Sequence, residues 1–286
     1  MKRQITIQGV AGCYHDAAAR NYFALNYPRY EIEIIPCDTF CEMFQQLDAD
    51  TNLLGIMAIE NTIAGALLQN HELLRKSSLR IVGELKMRIS HVLAALPGQQ
   101  IKDITEVNSH PMALRQCEQF LHRYPFMKVA ETFDTAGSAK LISENNLIGH
   151  AAVCGAYAAQ LYGLDILADN IETNKRNFTR FLILADSTSA QDLLPIDREP
   201  NKASIVFSLP HTQGALSKIL TILSFYDINL TKIQSMPIIG REWEYRFYID
   251  LTFDSIARYQ KAIDAVRPLL TDFKSFGEYT ECTNEI

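Results

Sequence analysis

The 286-residue chain contains no stretch of about 18 uninterrupted apolar residues, so its sequence holds no candidate membrane-spanning helix. Its N-terminus, Met1-Lys2-Arg3-Gln4-Ile5-Thr6-Ile7-Gln8-Gly9, is basic but lacks the longer apolar block of a signal peptide. A cytoplasmic location and no membrane partner are expected. A basic surplus is also missing. The formal net charge is −6, and neither residues 1–200 nor 201–286 carry the excess of Lys and Arg that phosphate backbones demand, so no nucleic acid is expected. The six cysteines, at 13, 37, 41, 117, 154 and 282, form no Cys-x-x-Cys pair and lie near no histidine at zinc spacing. Cys37 and Cys41 can share a helical face, but two thiols do not make a metal site. Reduced, mostly buried thiols and no structural metal are expected. No nucleotide-binding glycine fingerprint and no low-complexity tract occurs.

What is present suits two domains, with 48% hydrophobic residues. The first 185 residues alternate between strand-like and helix-like segments. Ile5-Thr6-Ile7-Gln8 reads as a strand ending at Gly9 and Gly12, and helical spacing follows over 15–25. Residues 30–35 alternate as a strand, 40–48 read as a helix begun by Asp38 or Thr39, and 53–59 form an apolar strand buried on both faces. Residues 66–79 look helical. The segments 79–84, 90–95 and 106–109 read as a second set of short strands, opening a second lobe over roughly 80–170. Residues 111–123 read as a helix with Pro111 in its first turn. A short strand over 129–131 leads to a helix start at 134–139, and the small residues of 151–162 predict a helix. This order implies two α/β lobes with a cleft between them. Residues 186–201 have a linker's composition. From 202 to 286 the predicted order is β-α-β-β-α-β, the ferredoxin-like split pattern.

Polar runs gather where these elements begin and end. Gly9-Val10-Ala11-Gly12-Cys13-Tyr14-His15 is a strand-to-helix turn, either purely structural or presenting backbone N–H groups to an anion. Glu60-Asn61-Thr62, with Gly65, follows a buried strand, at the sheet edge where ligands bind in open α/β folds; it also suits a helix cap. Glu60 is the run's only carboxylate and a candidate general acid. Ser109 and His110 precede a helix, as Thr135 and Ser138 stand at another, and each also reads as a cap or packing residue. Asn177-Phe178-Thr179-Arg180-Phe181 packs an amide, a hydroxyl and a guanidinium between aromatics at a strand start. It is either a strand edge facing water or a proton donor and anion clamp for a small acidic metabolite.

Together these runs resemble prephenate dehydratases. The resemblance rests on Ile59-Glu60-Asn61-Thr62 with Gly65, then Ser109-His110-Pro111 with Ala113-Leu114 and Gln116-Cys117. It continues through Asp134-Thr135-Ala136-Gly137-Ser138-Ala139 and Asn177-Phe178-Thr179-Arg180-Phe181. Order and spacing match across residues 1–185. Residues 202–286, with Gly214-Ala215-Leu216 and Asn229-Leu230-Thr231-Lys232-Ile233, resemble the regulatory ACT domain that follows in that family. The resemblance implies a two-lobed, periplasmic-binding-protein-like catalytic domain and a ferredoxin-like ACT domain. The implied reaction is loss of CO2 and water from prephenate to give phenylpyruvate, with no cofactor because aromatisation drives it.

In that reading Thr179 hydrogen-bonds the departing hydroxyl, and Arg180, Phe181 and Glu60 complete the catalytic set. Asn61, Thr62, Gly65, Ser109, His110, Thr135, Ser138, Asn177 and Gly12 bind substrate. Gly214, Ala215, Leu216, Asn229, Leu230 and Ser235 would hold L-phenylalanine as allosteric effector, across a homodimer or homotetramer. The chain would be monofunctional. Two departures stand out. Val10, Cys13 and His15 replace the family's usual Pro, Thr and Ser in the first turn, where His15 is a candidate cationic or hydrogen-bonding substitute. Gln234-Ser235-Met236-Pro237 replaces the sensing run Glu-Ser-Arg-Pro, removing two charges. Arogenate, bearing an amine where prephenate has a keto group, is the competing substrate; a non-catalytic sensor is the competing class.

Overall fold

The computed structural model describes residues 2–193 and 199–282. Of the expected linker over 186–201, residues 194–198 lie outside the described residues. The first lobe comprises β1 (Lys2–Gln8), α1 (Tyr14–Asn26), β2 (Glu31–Cys37), α2 (Phe40–Ala49), β3 (Leu54–Asn61), β4 (Gly65–Ala66), α3 (Leu68–Lys76) and β5 (Arg80–Arg88). The second comprises β6 (Val92–Ala95), β7 (Glu106–Ser109), α4 (Pro111–Gln116), α5 (Glu118–Leu121), β8 (Lys128–Glu131), α6 (Thr135–Glu144), β9 (His150–Cys154), α7 (Ala156–Leu161) and β10 (Asp165–Ala168). The chain then returns to the first lobe as β11 (Phe178–Ala185).

The first sheet has the order β2-β1-β3-β11-β5, with β4 paired to β3. Leu54 to Ile59 in β3 are all buried, as an apolar run without alternation requires. Leu54, Ile56 and Ala58 pack on the α1 side with Phe23, whereas Met57 and Ile59 pack with Phe44 and Leu74 of α2 and α3. Helix α2 begins at Thr39, whose hydroxyl accepts the Glu42 N–H (3.1 Å) while Glu42 accepts the Asp38 N–H (2.9 Å).

The second sheet has the order β10-β6-β9-β7-β8, with β7 parallel to both β8 and β9. Three expectations need correction here. The strand at 80–88 belongs to the first sheet, paired with β11, so the second lobe begins later than residue 80. Residues 151–154 are strand, not helix. Ala152 and Cys154 meet Ala136 and Ala139 of α6, while Ala151 and Val153 meet Ala113 and Leu114 of α4. Small side chains suit a strand covered closely on both faces as well as they suit a helix. Finally, the helix over 111–123 breaks at Cys117, because the Gln116 carbonyl accepts the Thr173 N–H (2.7 Å) from outside the helix.

Two crossovers, 89–91 and 169–177, join the lobes. They are tied together where the Ile171 N–H bonds the His91 carbonyl (3.0 Å) and the Ile89 N–H bonds the Asn177 carbonyl (2.7 Å).

The C-terminal unit comprises β12 (Lys202–Ser208), α8 (Ala215–Phe225), β13 (Asn229–Pro237), β14 (Tyr245–Thr252), α9 (Ile256–Val266) and β15 (Thr271–Tyr279). Its antiparallel order β13-β14-β12-β15 is the expected ferredoxin-like pattern. Helices α8 and α9 cover one face, on Ile205, Phe207 and Leu251. The other face presents Val206, Tyr248 and Phe276 to Ile81, Leu182 and Leu184 of the first lobe. At this junction a Cβ on Gly277 would lie 2.4 Å from the Ile81 carbonyl oxygen, so only glycine lets β15 approach β5 so closely. Among the described residues, no helix is long and apolar enough to cross a membrane, and no cluster of His, Cys, Asp or Glu could hold a metal ion.

Candidate active site

The site is built on the antiparallel pair β3–β11. Their register runs regularly to Phe181 opposite Ala58, then shifts so that Arg180 faces Glu60 and Thr179 faces Asn61. Ile59 is the extra residue of a β-bulge. The Ala58 N–H, beyond the last β1 partner, donates to His15 Nε2 (3.2 Å) instead. After the bulge, side chains alternate as pairs. Asn61 and Thr179 project to one face, Glu60 and Arg180 to the other.

On the first face every polar atom has a definite direction. Asn61 Oδ1 accepts the backbone N–H groups of Ile63 and Ala64 (both 2.9 Å). Its Nδ2 must therefore be the donor, reaching Asn177 Oδ1 (2.8 Å) and Thr179 Oγ1 (2.9 Å), with the Phe178 carbonyl at 3.2 Å. Because Thr179 Oγ1 already accepts, its own proton remains to be donated. Asn177, fully buried, passes the polarity on: its Nδ2 donates to Gln116 Oε1 (3.1 Å) at the end of α4 in the second lobe. Thr62 fixes the strand start, accepting the Phe178 N–H (2.9 Å) and donating to the Arg176 carbonyl (3.2 Å). The turn 9–14 packs on the second lobe. A Cβ on Gly12 would lie 3.2 Å from Ala158 Cα, one on Gly9 3.6 Å from Asp134, and one on Gly155 3.3 Å from the Tyr14 ring.

On the second face the expected clamp is corrected. Arg180 donates from Nε to Glu84 (2.6 Å), from Nη1 to Asp250 (2.5 Å) and from Nη2 to the Tyr279 hydroxyl (2.9 Å). Glu84 also pairs with Lys202 (2.9 Å), and Asp250 accepts from Ser204. Glu60, the expected general acid, faces the same way and pairs with Lys232 of β13 (3.2 Å). Burial alone would raise the Asp250 carboxyl, but Arg180, Ser204 and Lys232 bring it down to about 2. Burial is likewise overcome at Glu84, lowered by Arg180 and Lys202. The guanidinium thus joins the first sheet to the C-terminal unit. Phe181, on the Thr179 side, is a core residue 1% exposed, edge-on to His15.

Other expected residues scatter by role. Burial lowers His15 to about 4, so of its two expected roles the neutral, hydrogen-bonding one is seen, on the Ala58 N–H of β3, and not the cationic one. Of the two readings of the Gly9–Gly12 turn, three of its N–H groups suit the structural one: Gly12 N–H goes to Asp16 (2.7 Å), Cys13 N–H to the Val10 carbonyl (3.1 Å) and Gly9 N–H to the Cys37 carbonyl (2.9 Å). The Ser109 hydroxyl is committed to the Val153 carbonyl (2.6 Å), and Ser138 bonds Thr132 (2.6 Å) and the Asp134 carbonyl (2.9 Å). His110 Nδ1 caps α4 through the Met112 N–H (3.2 Å), and Asp134 caps α6, leaving Thr135 half-buried at its first position. Gly65 is exposed at φ +80° in the turn into β4.

The expected effector residues do not gather within one chain. Asn229 and Leu230 are level with Thr252 and Leu251, at the end of the sheet where β12 starts. Gly214-Ala215-Leu216 and Ser235 stand at the opposite end, beyond or beside Ser208 and Phe247.

Residues 5–189 match the family model for prephenate dehydratase. The chain belongs to the prephenate dehydratase family. Members of this family are hydro-lyases. Arogenate dehydratase 5, chloroplastic, of Arabidopsis thaliana is 38% identical over 294 residues, covering 96% of this chain and 67% of that protein. A solved prephenate dehydratase from Arthrobacter aurescens, in complex with L-Phe, superposes with a TM-score of 0.83 at 26% identity, over 97% of this chain and 90% of that one. GqqA, described as a novel type of quorum quenching acylase, superposes with a TM-score of 0.85 at 29% identity, over 98% and 99%.

Sequence reasoning missed His91, Tyr14 and Glu172 as site components. His91 is buried, with Nε2 2.9 Å from Gln116 Oε1, Nδ1 2.9 Å from the Tyr14 hydroxyl, and its backbone N–H on Glu172 (3.0 Å). A lone histidine between two strands carries no periodic or motif signal that marks it.

Proposed function

We propose that this chain is a prephenate dehydratase acting in the cytoplasm, converting prephenate to phenylpyruvate, CO2 and water for phenylalanine biosynthesis. The observation that carries the reading is the Asn61–Thr179 pair, in which an oriented amide leaves the Thr179 hydroxyl proton to be donated. The C–C bond to the leaving carboxylate breaks, and its electron pair forms the ring double bond. The ring C–O bond breaks, and the hydroxyl leaves as water with a proton delivered through Thr179. A threonine hydroxyl is a weak acid, so it conducts this proton within a hydrogen-bond network that includes solvent. Asn61 and Gln116 fix the polarity of that network while aromatisation drives the step.

The C-terminal unit serves in this reading as an ACT domain that senses L-phenylalanine in a homo-oligomer. The separation of Asn229–Leu230 from the Gly214 turn supports it, because two copies joined antiparallel along β13, an edge strand, would bring the two ends together. The phenylalanine complex of the Arthrobacter relative supports the same effector. Names among the plant relatives favour arogenate as the second substrate to test. Product formation from prephenate and from arogenate is measured with and without L-phenylalanine. Turnover of prephenate suppressed by phenylalanine supports both parts. Turnover of arogenate alone replaces the substrate, and absence of both products removes the dehydratase reading.

A further inference from the structure

The hydrogen-bond chain on the cleft side runs beyond the residues that can touch substrate, and its direction is set at one end. Backbone N–H groups of Ile63 and Ala64 fix Asn61 Oδ1, so Asn61 Nδ2 donates to Asn177 Oδ1. Asn177 Nδ2 then donates to Gln116, which must present its oxygen. His91 Nε2, 2.9 Å from that same oxygen, must carry a proton. Neutral His91 has only one, so Nδ1 is bare and accepts the Tyr14 O–H at 2.9 Å. The Ser90 carbonyl, 2.8 Å from the same hydroxyl, competes for that proton, and a Tyr14 turned wholly to it would leave two lone pairs facing each other. Burial lowers His91 and raises the Tyr14 phenol, which favours the neutral ring and the protonated phenol.

We infer that His91 is a positioning residue: through the Gln116 amide it holds Asn177 in the orientation that accepts from Asn61, the amide that leaves the Thr179 proton free for the leaving group. The inference rests on the dehydratase reading. Its physical content is the register of amide flips. With an N–H at His91 Nε2, Gln116 Oε1 receives two donors and its Nε2 faces away from the chain. Without that N–H, the Gln116 amide gains an alternative in which its NH2 opposes Asn177 Nδ2. Asn177 then turns its own NH2 toward Asn61 Nδ2, so Asn61 loses that acceptor and two donors oppose each other beside Thr179, displacing the amide that holds the Thr179 hydroxyl with its proton free. His91 is also where the lobes meet. It lies in the first crossover and is held by Glu172 of the second, between Tyr14 of one lobe and Gln116 of the other. Tyr14 is the second member of the device, since its proton selects the ring tautomer.

The test compares His91→Leu, His91→Gln and Tyr14→Phe with the unaltered chain in prephenate turnover, with thermal unfolding of each. Leu removes the donor, and kcat should fall on the order of tenfold to a hundredfold while KM stays within about twofold. Gln can place a side-chain N–H near the Nε2 position and should recover most of kcat. Tyr14→Phe should fall between them. Unchanged kcat in His91→Leu overturns the inference, as does equal impairment by Leu and Gln. A second measurement, the imidazole 15N NMR signals of the unaltered chain at neutral pH, guards against a variant that fails to fold. The neutral Nε2–H tautomer at His91 is expected, and an Nδ1–H tautomer or an imidazolium overturns the inference. A chain that turns over neither prephenate nor arogenate, yet shows the Nε2–H tautomer, defeats the functional reading and leaves the polarity of the chain standing.

Discussion

The two faces of the β3–β11 pair, one strand thickness apart, carry opposite chemistry. Toward the cleft stand two neutral side chains, Asn61 and Thr179, with one hydroxyl proton left to donate. Toward the C-terminal unit stand two charged ones, Glu60 and Arg180, each with partners across a domain junction. In the proposed reaction, strong charge beside the dicarboxylate substrate would grip the carboxylate that must leave, whereas a buried junction needs every charge matched. Adjacent residues of one strand therefore serve different tasks.

The contrast is broken most sharply at Thr179. Thr179→Ala should lower turnover by about 10²–10⁴-fold and change stability by no more than about 1 kcal/mol, read by urea unfolding. Thr179→Ser should restore part of the activity. A large stability loss with retained turnover would make the threonine structural. Arg180→Leu should do the reverse. It leaves Asp250 and Glu84 buried beside a lost cation and should cost about 3–5 kcal/mol of stability, with substrate KM little changed in the folded fraction. A raised KM at unchanged stability would return the guanidinium to the cleft.

The pH dependence of stability sharpens the same contrast. Asp250 is held at about 2 in the folded chain, below its value of about 4 when unfolded. Its contribution is therefore complete above about pH 4 and is lost as the pH falls toward 2, amounting to about 2 kcal/mol. Asp250→Asn should flatten that part of the curve, and an unchanged slope would assign acid unfolding to other carboxylates. Glu60→Gln should have the smallest effect, under about 1 kcal/mol in urea unfolding, because Glu60 is 39% exposed and screened. A loss as large as that of Arg180→Leu would show Lys232 to depend on Glu60 even with Asp250 nearby.

Much of this arrangement is legible in the sequence. Strand alternation alone separates Thr179 from Arg180, yet reading 177–181 as one polar run merged the two faces. The bulge at Ile59 could not be read, because nothing in an apolar strand announces an extra residue; it aligns Asn61 with Thr179 and turns Glu60 away. Residues 151–154 show another limit, since small side chains mark close packing without saying whether helix or strand packs closely. The break at Cys117 depends on Thr173, more than fifty positions later in the chain. The ferredoxin-like unit was legible throughout because its hydrophobic pattern is local to each element. His91 was not, because its meaning lies in three partners from three distant segments.

The return of β11 to the first lobe has a consequence for how the chain assembles during synthesis. β5 pairs with β11 within its sheet, and β11 lies between β3 and β5, so the first sheet lacks an interior strand until residue 185 has left the ribosome. The second lobe is complete in sequence before that, from β6 to β10, and none of its strand pairs spans as much sequence as β3–β11 or β5–β11. The order of emergence thus allows the second lobe to form before the first sheet is closed. The strand bearing Thr179 and Arg180 is the closing stitch, setting the donor in the cleft and the docking cation behind it in a single event.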